Sequence, residues 1–96
     1  MALETRPFDA AEVLGDDERT AAYLAEAFAN GDPALIASAI GDVARARNIT
    51  AIARDTGLTR ETLYRAFSPG GNPTLATMAA VVKALGFQLS IRPVGG

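Results

Sequence analysis

Cysteine and histidine are both absent from this 96-residue sequence. Without cysteine the chain can form neither a disulfide nor a thiolate nucleophile, which is compatible with a reducing cytoplasm. Without histidine it lacks the commonest acid–base residue and the commonest metal ligand. The only dense carboxylates, Asp16, Asp17 and Glu18, lie where a helix is expected to begin, so they suit helix capping better than acid–base catalysis. We therefore predict that the protein is not an enzyme and binds no metal or cofactor.

Long apolar runs and a secretory signal are also absent. The chain does not open with a basic stretch followed by an apolar one, and no apolar run approaches the length of a membrane span. These absences predict a soluble, cytoplasmic protein that does not contact a membrane. The hydrophobic residues, 49% of the total, include many alanines, which favours closely packed helices. The length suits a single domain, residues 1–96, with a modest core.

Charge is unevenly distributed, although the net charge is only −2. Residues 1–32 carry eight acidic and two basic side chains, whereas residues 33–96 carry three acidic and seven basic ones. Five of those seven bases lie between Arg45 and Arg65. Because the local field attracts phosphate groups more than the net charge does, this region can bind a nucleic acid. The acidic first third is either a solvated face or a surface for a basic partner.

Apolar residues at helical spacing predict a mainly α fold with five or six helices. Their approximate ranges are residues 10–14, 16–30, 33–47, 50–56, 59–67 and 74–85. Asp32 and Pro33 suit the cap and first residue of the third range, and Gly41 within it predicts close packing against a neighbouring helix. The residues predicted to face the core are Ala21, Leu24, Ala25 and Phe28, then Leu35, Ile36, Ala39, Ile40 and Val43, and finally Leu75, Met78, Val81 or Val82, and Leu85.

The stretch from Thr50 to Phe67 reads as two short helices joined by a tight turn. Gly57 can adopt a positive φ at little steric cost and so ends the first helix, and Thr59 suits the N-cap of the second. The side chains predicted to face inward are Ile52, Ala53, Thr56, Leu58, Leu63 and Ala66. A small alanine, a glycine and then a large leucine in this register are the pattern of a helix-turn-helix.

The polar face of the second short helix decides the predicted function. Five of its side chains are left facing away from the core: Arg60, Glu61, Thr62, Tyr64 and Arg65. Arginine can bind guanine O6 and N7 together, threonine can reach either type of base edge, and glutamate can accept from cytosine. A merely solvated face is the alternative, but the register of the whole motif favours DNA binding. Arg47 and Arg54 are candidates for contacts with the DNA backbone.

The last residues change period. Phe87, Leu89 and Ile91 alternate with polar residues, which predicts a short C-terminal β-strand over residues 87–93. A single strand needs a partner for its backbone groups, and that partner is either the N-terminal stretch Thr5–Phe8 or a second copy of the chain. The domain therefore divides into an acidic N-terminal strand and helix extension (1–31), a helix-turn-helix core (32–86) and a C-terminal strand (87–93).

Six short segments carry a further pattern: Ala-Ala-Glu-Val-Leu (10–14), Gly-Asp-Pro-Ala-Leu (31–35), Gly-Asp-Val-Ala-Arg-Ala-Arg (41–47), Gly-Leu-Thr-Arg-Glu-Thr-Leu-Tyr (57–64), Gly-Asn-Pro-Thr-Leu (71–75) and Lys-Ala-Leu-Gly-Phe (83–87). Together they resemble the addiction-module antidote family, and the likeness spans roughly Phe8 to Pro93. The central part is also similar to the wider Cro/repressor-like class of helix-turn-helix proteins, whose motif alone is less specific.

The resemblance implies an antitoxin of a type II toxin–antitoxin module, with a small basic RelE/ParE-like toxin and double-stranded operator DNA as partners. Related antitoxins bind their own operator as homodimers and repress it. Transferred by position, the recognition helix comprises Thr59, Arg60, Glu61, Thr62, Tyr64 and Arg65. The residues implied to anchor the DNA backbone are Thr50, Ser68, Asn72 and Thr74.

The acidic first third would meet a basic toxin favourably. The candidate toxin-binding residues are Glu12, Asp16, Asp17, Glu18 and Glu26. Two alternative functions stay open at this point. One is a stand-alone helix-turn-helix transcriptional regulator, and the other is a toxin-binding module that binds DNA weakly.

Overall fold

A computed structural model of the protein describes residues 15–95, and this part of the chain contains five helices. In chain order they are α1 (Asp17–Asn30), α2 (Pro33–Arg47), α3 (Ile49–Thr56), α4 (Arg60–Ala66) and α5 (Leu75–Ala84). The described part is therefore mainly helical, as the apolar spacing predicts. The predicted helix over residues 10–14 and the predicted strand Thr5–Phe8 lie outside the described residues.

Each of these helices begins at a polar N-cap whose side-chain oxygen accepts a backbone N–H of the first turn. The cap and donor pairs are Asp16 with Arg19, Asp32 with Ala34, Asn48 with Ala51, Thr59 with Thr62 and Thr74 with Thr77, at 3.0 to 3.1 Å. Gly31 and Gly57 follow α1 and α3 with φ of 83° and 79°, a left-handed conformation that ends each helix. Local chemistry thus sets the helix boundaries.

The central helix of the fold is α2, which contacts α1, α3, α4 and α5. Ile40 and Val43 of α2 are fully buried, and they share one apolar cluster with Leu63 of α4 and Val81 of α5. Burying an aliphatic side chain of this size stabilises a fold by about 1.5–3 kcal/mol. Helices as short as α3 and α4 are marginal in isolation, so this packing holds them in place.

Gly41 marks the closest approach between α2 and the end of α4. A Cβ atom at this position would lie 3.0 Å from Cβ of Phe67 and 3.1 Å from Nη1 of Arg45, and it would collide with the carbonyl oxygen of Phe67. The predicted close packing at Gly41 is confirmed. The residue is glycine because the backbone at the end of α4 occupies the space that a side chain would need.

The predicted C-terminal strand over residues 87–93 is wrong. This segment has no regular secondary structure, and no strand or sheet occurs anywhere in residues 15–95. Its packing weakens along the chain, since Phe87 is half-buried, Leu89 is 39% exposed and Ile91 is 98% exposed. Apolar alternation produces a strand only where a second strand completes the hydrogen bonds, and the described residues supply none. The backbone N–H of Phe87 instead donates to the carbonyl of Val82 at 3.0 Å, which closes the end of α5.

The predicted inner faces are also shifted in three helices. In α1 the fully buried position is Thr20, whereas its neighbour Ala21 is exposed. Leu35 and Leu75 lie in the first turns of α2 and α5 and are 44% and 74% exposed. Helical spacing identified the apolar stripe but could not tell which of its residues contact a neighbouring helix. No helix within residues 15–95 combines the length and apolar character needed to cross a membrane.

Candidate nucleic-acid interface

Helices α3 and α4 are joined by a three-residue turn at Gly57, and we call the unit Ile49–Ala66 the α3–α4 hairpin. The hydroxyl of Thr56 donates to the carbonyl of Ile52 at 2.8 Å and accepts the backbone N–H of Leu58 at 3.3 Å. Thr56 therefore links the last turn of α3 to the connection. Leu63, which is 1% exposed, anchors α4 in the core. The turn and the buried leucine together fix which face of α4 points outward.

The outward face of α4 is polar. Arg60, Glu61, Tyr64 and Arg65 line one shallow surface depression together with Ser68, which follows the helix. Tyr64 is 43% exposed although its ring is large and aromatic. Helical geometry explains the grouping, because residues one turn apart lie side by side on a helix surface. Four of the six residues predicted to read bases thus share one open surface, which we call the α4 face.

The other two residues of that predicted set, Thr59 and Thr62, have a local structural role. The Thr59 side chain caps α4 by accepting the N–H of Thr62 at 3.0 Å. Its hydroxyl also donates to the Thr62 hydroxyl at 2.8 Å. This pair of hydroxyls holds the beginning of α4, and neither threonine lines the depression formed by the other four residues.

The arginines of the α3–α4 hairpin differ in their contacts. Arg60 donates from Nη1 to the hydroxyl of Thr50 at 3.4 Å, which brings the first turns of α3 and α4 together. Arg54 lies 3.5 Å from the carboxylate of the adjacent Asp55, and both side chains are largely exposed. Exposed pairs of this kind contribute little, so solvent and ligands can compete for both charges. No hydrogen bond or ion pair to another described residue is found for the exposed Arg65.

Arg47, which was predicted to contact the DNA backbone, is held by contacts within the protein. Its Nη2 atom lies 2.8 Å from Oδ1 of Asp17 and donates to the hydroxyl of Thr20 at 3.1 Å. Its guanidinium carbon also lies 5.4 Å from the ring centroid of Phe87, a cation–π distance. The side chain is only 23% exposed. The structure thus places Arg47 in a cluster that joins the beginning of α1, the end of α2 and the C-terminal segment.

The loop after α4 carries the remaining predicted backbone contacts. The Ser68 hydroxyl donates to the carbonyl of Tyr64, and the N–H of Gly71 donates to the carbonyl of Ser68 at 2.8 Å. A Cβ atom at Gly71 would collide with the last carbonyls of α4, so the loop lies tightly against that helix. Asn72 and Thr74 line a second depression that also includes Arg65. The loop therefore continues the α4 face.

The candidate toxin-binding residues occupy different positions along α1. Asp16 caps the helix, and Asp17 pairs with Arg47 while its own side chain stays 80% exposed. Glu18 and Glu26 are exposed, and Glu12 lies outside the described residues. Of the candidate residues within 15–95, only Glu18 and Glu26 are exposed and form no hydrogen bond or ion pair with another described residue.

Sequence reasoning missed one cluster between α1 and α2. The Tyr23 hydroxyl donates to Oδ2 of Asp42 at 3.0 Å, and Arg45 lies 2.9 Å from Oδ1 of the same carboxylate. Burial raises the pKa of Tyr23 to about 12, and the hydrogen bond to Asp42 and its negative charge act in the same direction. The pairing of Asp42 with Arg45 could have been predicted, because the two residues are three positions apart on one helix, but the contact with Tyr23 could not.

Within residues 15–95, no group of three or more acidic side chains is arranged to hold a metal ion.

Comparison with known proteins identifies the family of the chain. Residues 4–93 match the family described as "Probable addiction module antidote protein". An uncharacterized protein of Haemophilus influenzae is 47% identical over 92 residues, which make up 96% of this chain and 95% of that protein. No solved structure matches the chain. The chain therefore belongs to the addiction module antidote family, a family of antitoxins whose general partner is a toxin.

Proposed function

We propose that this antitoxin binds the operator DNA of its own operon through a helix-turn-helix, represses that operon, and neutralises a small basic RelE/ParE-like toxin. Antitoxins of this family are generally not enzymes. The observation that carries the DNA part is the α4 face, where Arg60, Glu61, Tyr64 and Arg65 lie together on an exposed helix surface. An exposed polar helix that the core holds rigidly is the element that DNA-binding proteins insert into a groove.

The dimensions and chemistry of the α4 face match a major groove. An α-helix with its side chains is about 10–12 Å across, which fits a groove about 12 Å wide. Arg65 can bind guanine through two parallel hydrogen bonds, and Glu61 can accept from the amino group of cytosine. A carboxylate between two arginines repels phosphate, so this face is better suited to base edges than to the DNA backbone.

Phosphate contacts would come from the margins of the α4 face. Thr50 and Arg54 lie on α3, and Asn72 and Thr74 lie on the loop beside Arg65. Backbone contacts of this type fix the register of a protein on the duplex without reading its sequence. Arg47 is the exception among the residues predicted for this role, because its guanidinium is occupied within the protein.

A homodimer is part of the proposal. A single α4 face contacts only a few base pairs, whereas two copies related by a two-fold axis can contact successive major grooves about 34 Å apart. Repressors of this class use such half-sites to gain affinity and specificity. We expect the operator to contain an inverted repeat with that spacing.

The toxin would bind the acidic surface of α1, where Glu18 and Glu26 are exposed. Opposite charge would steer a basic toxin towards this surface and raise the association rate. The two carboxylates lie on α1, while the α4 face belongs to a different helix. The proposal therefore gives toxin and DNA separate surfaces on the same chain.

Binding to a DNA fragment from upstream of the protein's own coding region tests the DNA part. Affinity for that fragment and for a random duplex of equal length should be measured at several salt concentrations. We expect Arg65→Ala to weaken binding to the upstream fragment by about 1–3 kcal/mol and to reduce its advantage over random DNA. Arg92→Ala is the matched control, because it removes an exposed arginine that lies outside the α3–α4 hairpin. Equal losses in the two variants would contradict the assignment of the α4 face.

A protein-binding module with weak DNA affinity is the second candidate function, and the exposed carboxylates of α1 favour it. Co-expression with a small basic protein of the RelE/ParE-like class, followed by co-purification, tests toxin binding directly. We expect a Glu18→Lys, Glu26→Lys variant to lose the partner while retaining DNA binding. Co-purification together with equal affinity for upstream and random DNA would support this second function. DNA specificity without any recovered partner would instead indicate a stand-alone regulator.

A further inference from the structure

Leu75, at the beginning of α5, is 74% exposed, more than any other large apolar side chain in the described helices. Ala76 and Ala79 are exposed beside it, because residues three or four positions apart share one side of a helix. We call Leu75, Ala76 and Ala79 the α5 face. We propose that two copies of the chain form their homodimer through the α5 face, with each Leu75 packed against the partner's Leu75 at the two-fold axis. This inference rests on the proposed operator-binding homodimer and names the surface that forms it.

The α5 face adjoins the α4 face. Arg65 lines the depression on α4 and also a second depression that includes Thr74 and Thr77 at the beginning of α5. Leu75 directly follows Thr74 but does not line either depression. When two copies place their recognition helices in successive major grooves, the two-fold axis passes between those helices. The contact between the copies therefore belongs on a surface that borders the α4 face, as the α5 face does.

Symmetry favours an uncharged contact at the axis. In a two-fold interface the same patch occurs on both partners, so a charge near the axis meets its own copy. On the α3 side of the α4 face, Arg54 and Asp55 are both exposed. In α5 the first charged residue is Lys83, eight positions after Leu75 and so about 12 Å further along the helix. Because charges more than about 10 Å apart are largely screened at 0.1 M salt, the α5 side is the better surface for a second copy.

The packing of α5 leaves its first half available for this contact. Val81 and Val82 are buried in the second half of the helix, whereas the α5 face lies in the first half. A single exposed leucine is common on protein surfaces, so the argument depends on its position and on the absence of charge around it. Small alanines beside Leu75 leave room for the partner's side chain. Exposed Asn72 and Thr74 would supply the polar rim that surrounds the apolar centre of an interface.

Cysteine trapping tests the inference without DNA. The chain contains no cysteine, so one introduced thiol reports which surface meets its own copy. Full-length Leu75→Cys is mildly oxidised beside Leu35→Cys, the matched control, because Leu35 is a 44% exposed leucine in the first turn of α2. A disulfide requires two Cα atoms within about 7 Å, so we expect Leu75→Cys to form a covalent dimer at least roughly tenfold faster. Equal rates on non-reducing gels would overturn the inference.

Charge substitutions test the symmetry of the contact. By analytical ultracentrifugation, we expect Leu75→Glu and Leu75→Lys each to raise the dimer dissociation constant by roughly 100-fold or more, because each loses two apolar side chains and places like charges together. An equimolar mixture of the two should dimerise again, and Leu35→Glu should dimerise as the wild type does. The inference is overturned if Leu75→Glu dimerises normally or if the mixture stays monomeric. Circular dichroism melts check that each variant is folded, and the trapping rates decide the matter where one is not.

The same variants judge the proposed function separately. A trapped Leu75→Cys dimer that binds upstream DNA no better than random DNA refutes operator recognition and leaves the dimer contact standing. Specific binding to upstream DNA by a wild-type protein that remains monomeric on it refutes the dimer contact alone. A Leu75→Glu protein that stays dimeric but loses DNA binding also overturns the dimer contact, because Leu75 would then contact the DNA itself.

Discussion

Replacing Gly41 by alanine tests how closely α2 approaches the end of α4. At an open helical position alanine is favoured over glycine by about 1 kcal/mol. At Gly41 the added methyl group meets the carbonyl oxygen of Phe67, a backbone atom that cannot rotate away, and lies 3.0 Å from Cβ of the same residue. Overpacking of a core costs about 1–3 kcal/mol, and a clash with a backbone atom belongs in the upper part of that range, so the free energy of unfolding should fall by about 1–2 kcal/mol after the gain in helix propensity.

Thermal unfolding followed by circular dichroism measures this change. In a domain of this size 1 kcal/mol corresponds to about 4–8 °C, so the melting temperature of Gly41→Ala should fall by about 5–15 °C. Ala46→Gly is the matched control, because Ala46 is exposed in the same helix and reports helix propensity alone. If Gly41→Ala melts at or above the wild-type temperature, then α2 and α4 do not approach this closely and the reasoning is wrong.

Two further predictions concern the core and the cluster between α1 and α2. Leu63→Ala should lower the free energy of unfolding by about 2–5 kcal/mol, because Leu63 is 1% exposed and its truncation leaves a cavity. Urea titrations measure this change, and a loss below about 1 kcal/mol would contradict the role of Leu63 as the anchor of α4. Since the pKa of Tyr23 is raised from 10.0 to about 12 in the folded protein, the stability that it contributes is fully present below pH 10 and lost as the pH rises towards 12. Tyr23→Phe should therefore reduce the fall in urea stability over that pH interval, and an unchanged fall would argue against the Asp42 contact.

The parts of the fold that depend on neighbouring residues in the chain were predictable. Thr59 as a cap, Gly57 as a left-handed terminator and Pro33 as a first helical residue each act through the local backbone. The close packing at Gly41 was also predictable, because a glycine in the middle of a helix is unfavourable unless a neighbouring element occupies the space of a side chain. The exposed arginines of the α4 face followed from the same helical spacing, once Leu63 was assigned to the core.

The parts that depend on distant residues were not predictable. Whether the segment after Phe87 becomes a strand depends on a partner elsewhere, and no described residue supplies one. Arg47 was interpreted as a phosphate ligand because a cation at a helix end suits that role, but Asp17 lies 30 positions earlier and fixes its guanidinium. One sequence cannot reveal a pairing across that separation, because both charges also look normal as solvated residues. The same difficulty applies to Tyr23 and Asp42.

Thr20 is a buried polar residue that links α1 to the end of α2. It is fully buried in α1, and its hydroxyl accepts a hydrogen bond from Nη2 of Arg47 at 3.1 Å. Thr20→Val preserves the volume but removes the acceptor, and a hydrogen bond to a charged group contributes about 1.5–3 kcal/mol. Because Arg47 is partly exposed and keeps Asp17, we expect a loss near the lower end, about 1–2 kcal/mol in urea unfolding. Thr20→Ser, which keeps the hydroxyl and loses one methyl group, should cost about 0.8 kcal/mol. A Thr20→Val protein as stable as the wild type would mean that this hydrogen bond does not stabilise the packing of α1 on the end of α2.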